Sequence, residues 1–189
     1  MHDLNIVHTD DHYRLIPQIA TSLEAKTYLE LGIWDGDCIL AVASAMSAMR
    51  GSDYHAVGVD RTERPRCREQ QSLFNIFEYV LMDTLQFLAS EQAKAYGQFD
   101  LVFIDADHNE AAVEADFNAV FPLVKDQGVI LLHDTFPGTP ELAIPGQCVD
   151  AWKFAVKLGT TADYESMTLP YSPGLTIVRK RTKHLLWEP

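Results

Sequence analysis

Basic residues are scarce in this chain: 15 Lys and Arg stand against 27 Asp and Glu, a formal charge of −12. Binding to a phosphate backbone is driven by clustered cations, so nucleic acid is not expected as a partner. Cysteine is scarcer still. Cys38, Cys67 and Cys148 are odd in number and far apart, and they form no C-x-x-C pair. Neither a disulfide framework nor a zinc site is signalled. No apolar run approaches the roughly 18 residues of a membrane span, and residues 1–16 lack a basic stretch followed by an apolar one. The expectation is a cytoplasmic protein with no membrane partner. Two phosphate-binding signatures are missing as well: the chain has no GxxxxGK[ST] loop and no GxGxxG loop.

Apolar residues are plentiful. At 189 residues and 47% hydrophobic content, the chain can bury one full-sized core, so residues 1–189 are expected to form one domain. Five stretches, at 27–33, 55–60, 79–83, 99–105 and 128–134, are nearly continuously apolar, as strands buried on both faces should be. Between them Ile39, Val42, Ala43 and Met46 recur with helical period, as do Val113, Phe117, Val120, Phe121 and Val124. This alternation predicts an α/β fold with a doubly wound, mostly parallel sheet and helices on both faces. Two late strands at 164–170 and 174–180, separated by "YSPG", bring the sheet to seven, with an antiparallel addition at one edge. A helix is expected from Asp150 to Leu158, after a Pro/Gly-rich loop at 135–149 that suits a lid or substrate loop.

In such sheets ligands bind outside the carboxyl ends of the strands, where strand order reverses. The stretch "YLELGIWDGD", residues 28–37, runs from the first strand into Gly32 and Gly36 at the mouth of a helix. Glycines there let a ligand approach the backbone, although a tight strand-to-helix turn has the same composition. Asp60 ends the second strand, where it can accept both hydroxyls of a ribose. Asp83 ends the third, where it can accept from an exocyclic amine. Either acid alone is commonly a helix cap.

With these residues in place the chain resembles class I S-adenosylmethionine-dependent methyltransferases, whose fold is Rossmann-like. "ELGIWDG" (30–36) matches the E-x-G-x-x-x-G first motif, "VGVD" (57–60) looks like the ribose motif, and "LMDTLQFL" (81–88) is similar to the adenine-side motif. The resemblance is close over residues 27–135. The segment 99–135 looks most like small bacterial O-methyltransferases of the catechol type and their sugar- and natural-product-modifying relatives. It implies that Glu30, Gly32, Trp34, Gly36, Asp60, Arg61, Asp83, Thr84 and Asp105 hold S-adenosylmethionine, and that a small-molecule hydroxyl is the acceptor. It also implies a divalent metal, Mg²⁺, on Asp105, Asp134 and Thr135, the last standing where the family has Asn. His108 replaces the family's catalytic Lys, and Cys38 replaces a frequent Ser or Thr.

Imidazole titrates near neutrality, so His108 can serve as general base. Placed in a first helical turn, it is expected to be neutral. The bland alternative has Asp107 capping that helix and His108 facing solvent. His133 reads either as a core histidine or as a participant. The four arginines of "RTERPRCR" (61–68) read as solvated surface or as a gate for an acidic substrate. Two other functions stay open: a nicotinamide-dependent oxidoreductase, weakened by the missing third glycine and the lack of a Tyr-x-x-x-Lys pair, and a non-catalytic binding protein. A homo-oligomer stays open too.

Overall fold

A computed structural model describes residues 10–145, 147–161 and 164–180. The elements follow in the order α1 (Asp10–Ser22), β1 (Thr27–Leu31), α2 (Asp37–Arg50), β2 (His55–Asp60), α3 (Pro65–Phe74), β3 (Glu78–Leu81), α4 (Thr84–Ala89) and α5 (Glu91–Ala95). The second half continues with β4 (Phe99–Ile104), α6 (Glu110–Val120), β5 (Val124–His133), α7 (Ala151–Gly159), β6 (Tyr164–Leu169) and β7 (Leu175–Lys180). The seven strands form one sheet in the order β3-β2-β1-β4-β5-β7-β6. The doubly wound, Rossmann-like architecture expected from the apolar runs is the one observed. Strands β1 to β5 pair in parallel; β7 runs antiparallel to both β5 and β6, and β6 forms the edge.

The sheet is buried on both faces, which is why its strands read as unbroken apolar runs. Leu29 and Leu31 of β1 point into a core with Phe87, Phe117 and Phe154, while Tyr28 points to the other side, among Ile16, Ile39, Met46 and Phe103. Period-two alternation thus divides one strand between two cores.

One boundary departs from the apolar period, which predicts a helix as far as Val124. The α-helix stops at Val120, and Pro122 lies in the short 3-10 turn Phe121–Leu123 that leads into β5. Proline donates no N–H and its ring crowds the preceding turn, so the chain leaves the helix there. Helix α1 is not among the elements expected from the sequence, although its Ile16 and Ala20 are fully buried against α2.

Strand order reverses between β1 and β4, and the registers bring the strand ends level. Leu31 lies opposite both Val59 and Ile104, and Ile104 opposite Leu132. Gly32, Asp60, Asp105 and His133 therefore reach one rim of the sheet. No helix among the described residues is long and apolar enough to cross a membrane.

Candidate active site

A cleft of about 1220 Å³ opens along that rim. Its floor is the glycine turn. Gly32 and Gly36 both have positive φ, 83° and 82°. A Cβ on Gly32 would fall 2.4 Å from the Asp105 carbonyl oxygen, and one on Gly36 would fall 2.7 Å from Gln70 Oε1. The chain's own packing therefore demands both glycines. Gly32 lines the cleft and Gly36 does not. Glu30 is also outside it: only 1% exposed, it accepts a 2.5 Å hydrogen bond from the Tyr28 hydroxyl beneath the turn. Its expected place among the cofactor-binding residues is corrected, because strand alternation turns the side chain into the core. Trp34 is exposed and lines the cleft, with the Arg64 guanidinium 4.6 Å above its ring.

Asp60, buried at the end of β2, accepts from the Thr62 amide at 2.8 Å and from Arg64 Nε at 3.1 Å. Arg61 lines the cleft, while Arg66 pairs with Asp35 and Asp37, and Arg68 with Glu63. Most of the arginine run is thus local ion pairing. Asp83 caps α4, its Oδ1 accepting from Leu85 and Gln86 amides, and lines the cleft beside Thr84. Thr84 donates to Asp116 at 2.7 Å.

At the ends of β4 and β5 the acids converge on histidines. His108 Nδ1 lies 2.6 Å from the Gln147 carbonyl and 2.9 Å from Asp134 Oδ2, and its Nε2 lies 3.6 Å from Asp105 Oδ1. Ligand atoms of Asp105, His108 and Asp134 all fall within 4.8 Å of one another. Buried His133 places Nδ1 3.0 Å from Asp105 Oδ1, and its Nε2 meets Nδ1 of His12 at 3.2 Å. The Tyr13 hydroxyl reaches Asp105 Oδ2 at 3.5 Å, and Cys148 donates to Asp134 Oδ1 at 3.2 Å. Asp134 itself has φ 58°, an unfavourable conformation for a non-glycine residue and one that clusters at functional sites.

Burial lowers the pKa of His108, but Asp105 and Asp134 override it and lift the ring to about 11. The same two acids outweigh burial at His133 and lift it to about 10. Burial raises both carboxyls in turn, and the histidines nevertheless hold them below the usual aspartate range. The two acids thus favour the protonated ring over the neutral one expected from the sequence. Asp105 and Asp134 outweigh the field of the α6 N-terminus, whose N-cap Asn109 directly follows His108. Asp107 bonds the Asn109 amide, and Asp150 accepts from the first amide of the helix. Thr135 stands apart from the acids: buried, its hydroxyl accepts from Thr176 at 2.8 Å. Among the described histidine, cysteine and acidic side chains, His108 is the one that stands with Asp105 and Asp134 in a group whose ligand atoms could hold a metal ion.

A family model described as a methyltransferase domain matches residues 29–135, more than half of the chain. The chain belongs to this methyltransferase family. Solved structures with the same fold include the cofactor-bound Rv0187 from MTB, at 20% identity and a TM-score of 0.76 over 95% of this chain and 84% of that one. An O-methyltransferase from Bacillus cereus in complex with SAH aligns at 17% identity and a TM-score of 0.72, covering 92% and 82% of the two chains. The O-methyltransferase TomG from Streptomyces achromogenes, involved in tomaymycin synthesis and solved with SAM, gives 17% identity and a TM-score of 0.70 over 95% and 83%. No curated protein matches.

Tyr13 and Asp116 are among the lining residues of this methyltransferase that the sequence motifs do not single out. Tyr13 lies on α1, where Tyr13, Ile16 and Ala20 repeat at helical spacing. That period was the available signal. Nothing local marks Asp116, which sits in α6 among residues of ordinary helical composition.

Proposed function

We propose that the cleft transfers a methyl group from S-adenosylmethionine to a hydroxyl oxygen of a small molecule, with a divalent cation held by Asp105, His108 and Asp134. The observation that carries this reading is the meeting of those three side chains at the ends of β4 and β5, in the same cleft that Asp60 borders from β2. The SAM- and SAH-bound relatives support the donor, and their O-methyltransferase names support the acceptor.

Two carboxylates and an imidazole, once the cation has displaced the ring's proton, form an oxygen–nitrogen set that suits Mg²⁺ or Mn²⁺. A bound cation lowers the pKa of a coordinated acceptor hydroxyl. The chain's own groups do the rest. Asp60 holds the ribose diol: its two oxygens already accept from Thr62 and Arg64, and each keeps a second lone pair for a hydroxyl. His133, pinned by His12, fixes the orientation of Asp105, as a supporting hydrogen bond does for a metal ligand. Gln147 and Cys148 bring their loop against His108 and Asp134 at the reacting end. Attack of the hydroxyl oxygen on the sulfonium methyl is in line: the O–CH3 bond forms as the S–CH3 bond breaks to leave S-adenosylhomocysteine, and the hydroxyl proton passes to solvent, so alignment of donor and acceptor is the main contribution of such a site.

The experiment is methyl transfer from labelled S-adenosylmethionine to a panel of phenolic and sugar hydroxyls, with enzyme stripped by chelator and then resupplied with Mg²⁺ or Mn²⁺. Loss of turnover on stripping and its return with cation are expected. Full activity in excess chelator would remove the cation from the mechanism.

A further inference from the structure

Asp116 is a carboxylate for which neither the fold nor the chemistry above has a use. It lies on α6, is 3% exposed, and lines the cleft together with Thr84. Thr84 donates to its Oδ1, and no described protein group donates to its Oδ2. Its Oδ2 keeps access to the cleft, where a ligand that brings a donor can reach it. Burial pushes the carboxyl up to about 6, with Thr84 pulling against it and Asp83 and Asp107 adding like charge.

Asp83 is differently placed. Its Oδ1 accepts from two amides at the start of α4, the ordinary work of an N-cap aspartate, and the residue is partly open to solvent. The two acids border the same end of the cleft because α4 packs against α6. In sheet order Asp83 and Thr84 follow the edge strand β3, beyond β2 and Asp60, while Asp105 and Asp134 follow β4 and β5; Asp116 reaches that end from α6 through Thr84. With the sulfonium at that centre and the ribose at Asp60, the base of the cofactor falls here.

Resting on the S-adenosyl reading of the cleft, we propose that Asp116, seated by Thr84, accepts a hydrogen bond from the exocyclic amine of adenine, and that Asp83 serves as a helix cap and not as the adenine reader. A base with a carbonyl in place of that amine would set an acceptor against the buried carboxylate. The site then rejects hypoxanthine, as sites built for one hydrogen-bonding pattern reject its inverse.

The test is calorimetric binding of S-adenosylhomocysteine and S-inosylhomocysteine to the full chain. Wild type is expected to favour the adenosyl compound by tenfold or more. Asp116→Asn, close in shape and able to donate, is expected to bring that ratio near one or invert it, and Asp83→Asn to leave it unchanged. A merely structural role for Asp116 would weaken both ligands alike and preserve the ratio. Thr84→Val, which removes the seat without touching the carboxylate, is expected to narrow the ratio and provides the test if Asp116→Asn does not fold. An unchanged ratio in the folded Asp116 variant or in Thr84→Val, or a collapse in Asp83→Asn, overturns the assignment while leaving the cofactor reading intact. Wild type that binds neither compound overturns both.

Discussion

Replacing Glu30 by Gln should change how stability depends on pH. The Glu30 side chain is 1% exposed, and burial pushes its carboxyl from the ordinary 4.5 up to about 8, against the pull of the Tyr28 hydrogen bond. Between those values the native protein keeps a proton that the unfolded chain has released. Native stability therefore declines as pH rises through this window: the contribution is complete below pH 4.5 and gone above about 8. At about 1.36 kcal/mol for each pH unit, the full span amounts to roughly 5 kcal/mol. Glutamine can accept from Tyr28 but has no proton to lose, so this part of the pH dependence vanishes in Glu30→Gln. Urea unfolding of both proteins at pH 5, 6, 7 and 8 measures it. Taking the difference between the two proteins cancels the histidines and aspartates of the cleft. Wild type should lose about 3 to 4 kcal/mol relative to the variant between pH 5 and 8. A difference that stays constant, or that grows in favour of wild type, would show that the native carboxylate is already ionised and refute the argument from burial.

Gly32→Ala should destabilise the fold by about 2–4 kcal/mol, from positive φ together with a Cβ driven into the Asp105 carbonyl, as thermal or urea unfolding would show. Asp60→Ala should weaken S-adenosylhomocysteine more than tenfold, about 1.5–3 kcal/mol, through loss of charge-assisted contacts to the ribose; unchanged affinity in a folded variant would sink the assignment. His108→Ala should lower Mn²⁺ affinity by about tenfold or more while leaving S-adenosylhomocysteine binding nearly intact. Calorimetry of each ligand separates the two, and unaltered cation affinity would return His108 to a purely acid–base role.

The order of the strands was legible in the sequence because a parallel sheet covered on both faces has to be written as contiguous apolar runs, and these can be read one at a time. The acids at the strand ends were legible for the same reason: Asp60, Asp105 and Asp134 directly follow such runs. Their state was not. Whether His108 is neutral or charged depends on Asp134, which joins it only when β4 and β5 lie side by side. Glu30 and Gly32 belong to one motif, yet Glu30 lies within β1 with its side chain in the core, while Gly32 lies past the strand's end, at positive φ, on the cleft floor. The contacts that complete the site, His12 with His133, Tyr13 with Asp105 and Thr84 with Asp116, join residues 121, 92 and 32 positions apart. By itself the sequence determined which segments are buried and where their polar ends fall, since both follow from local pattern. The tertiary structure alone decided which polar ends meet and what charge each carries, because Coulomb interactions and desolvation depend on distances in space.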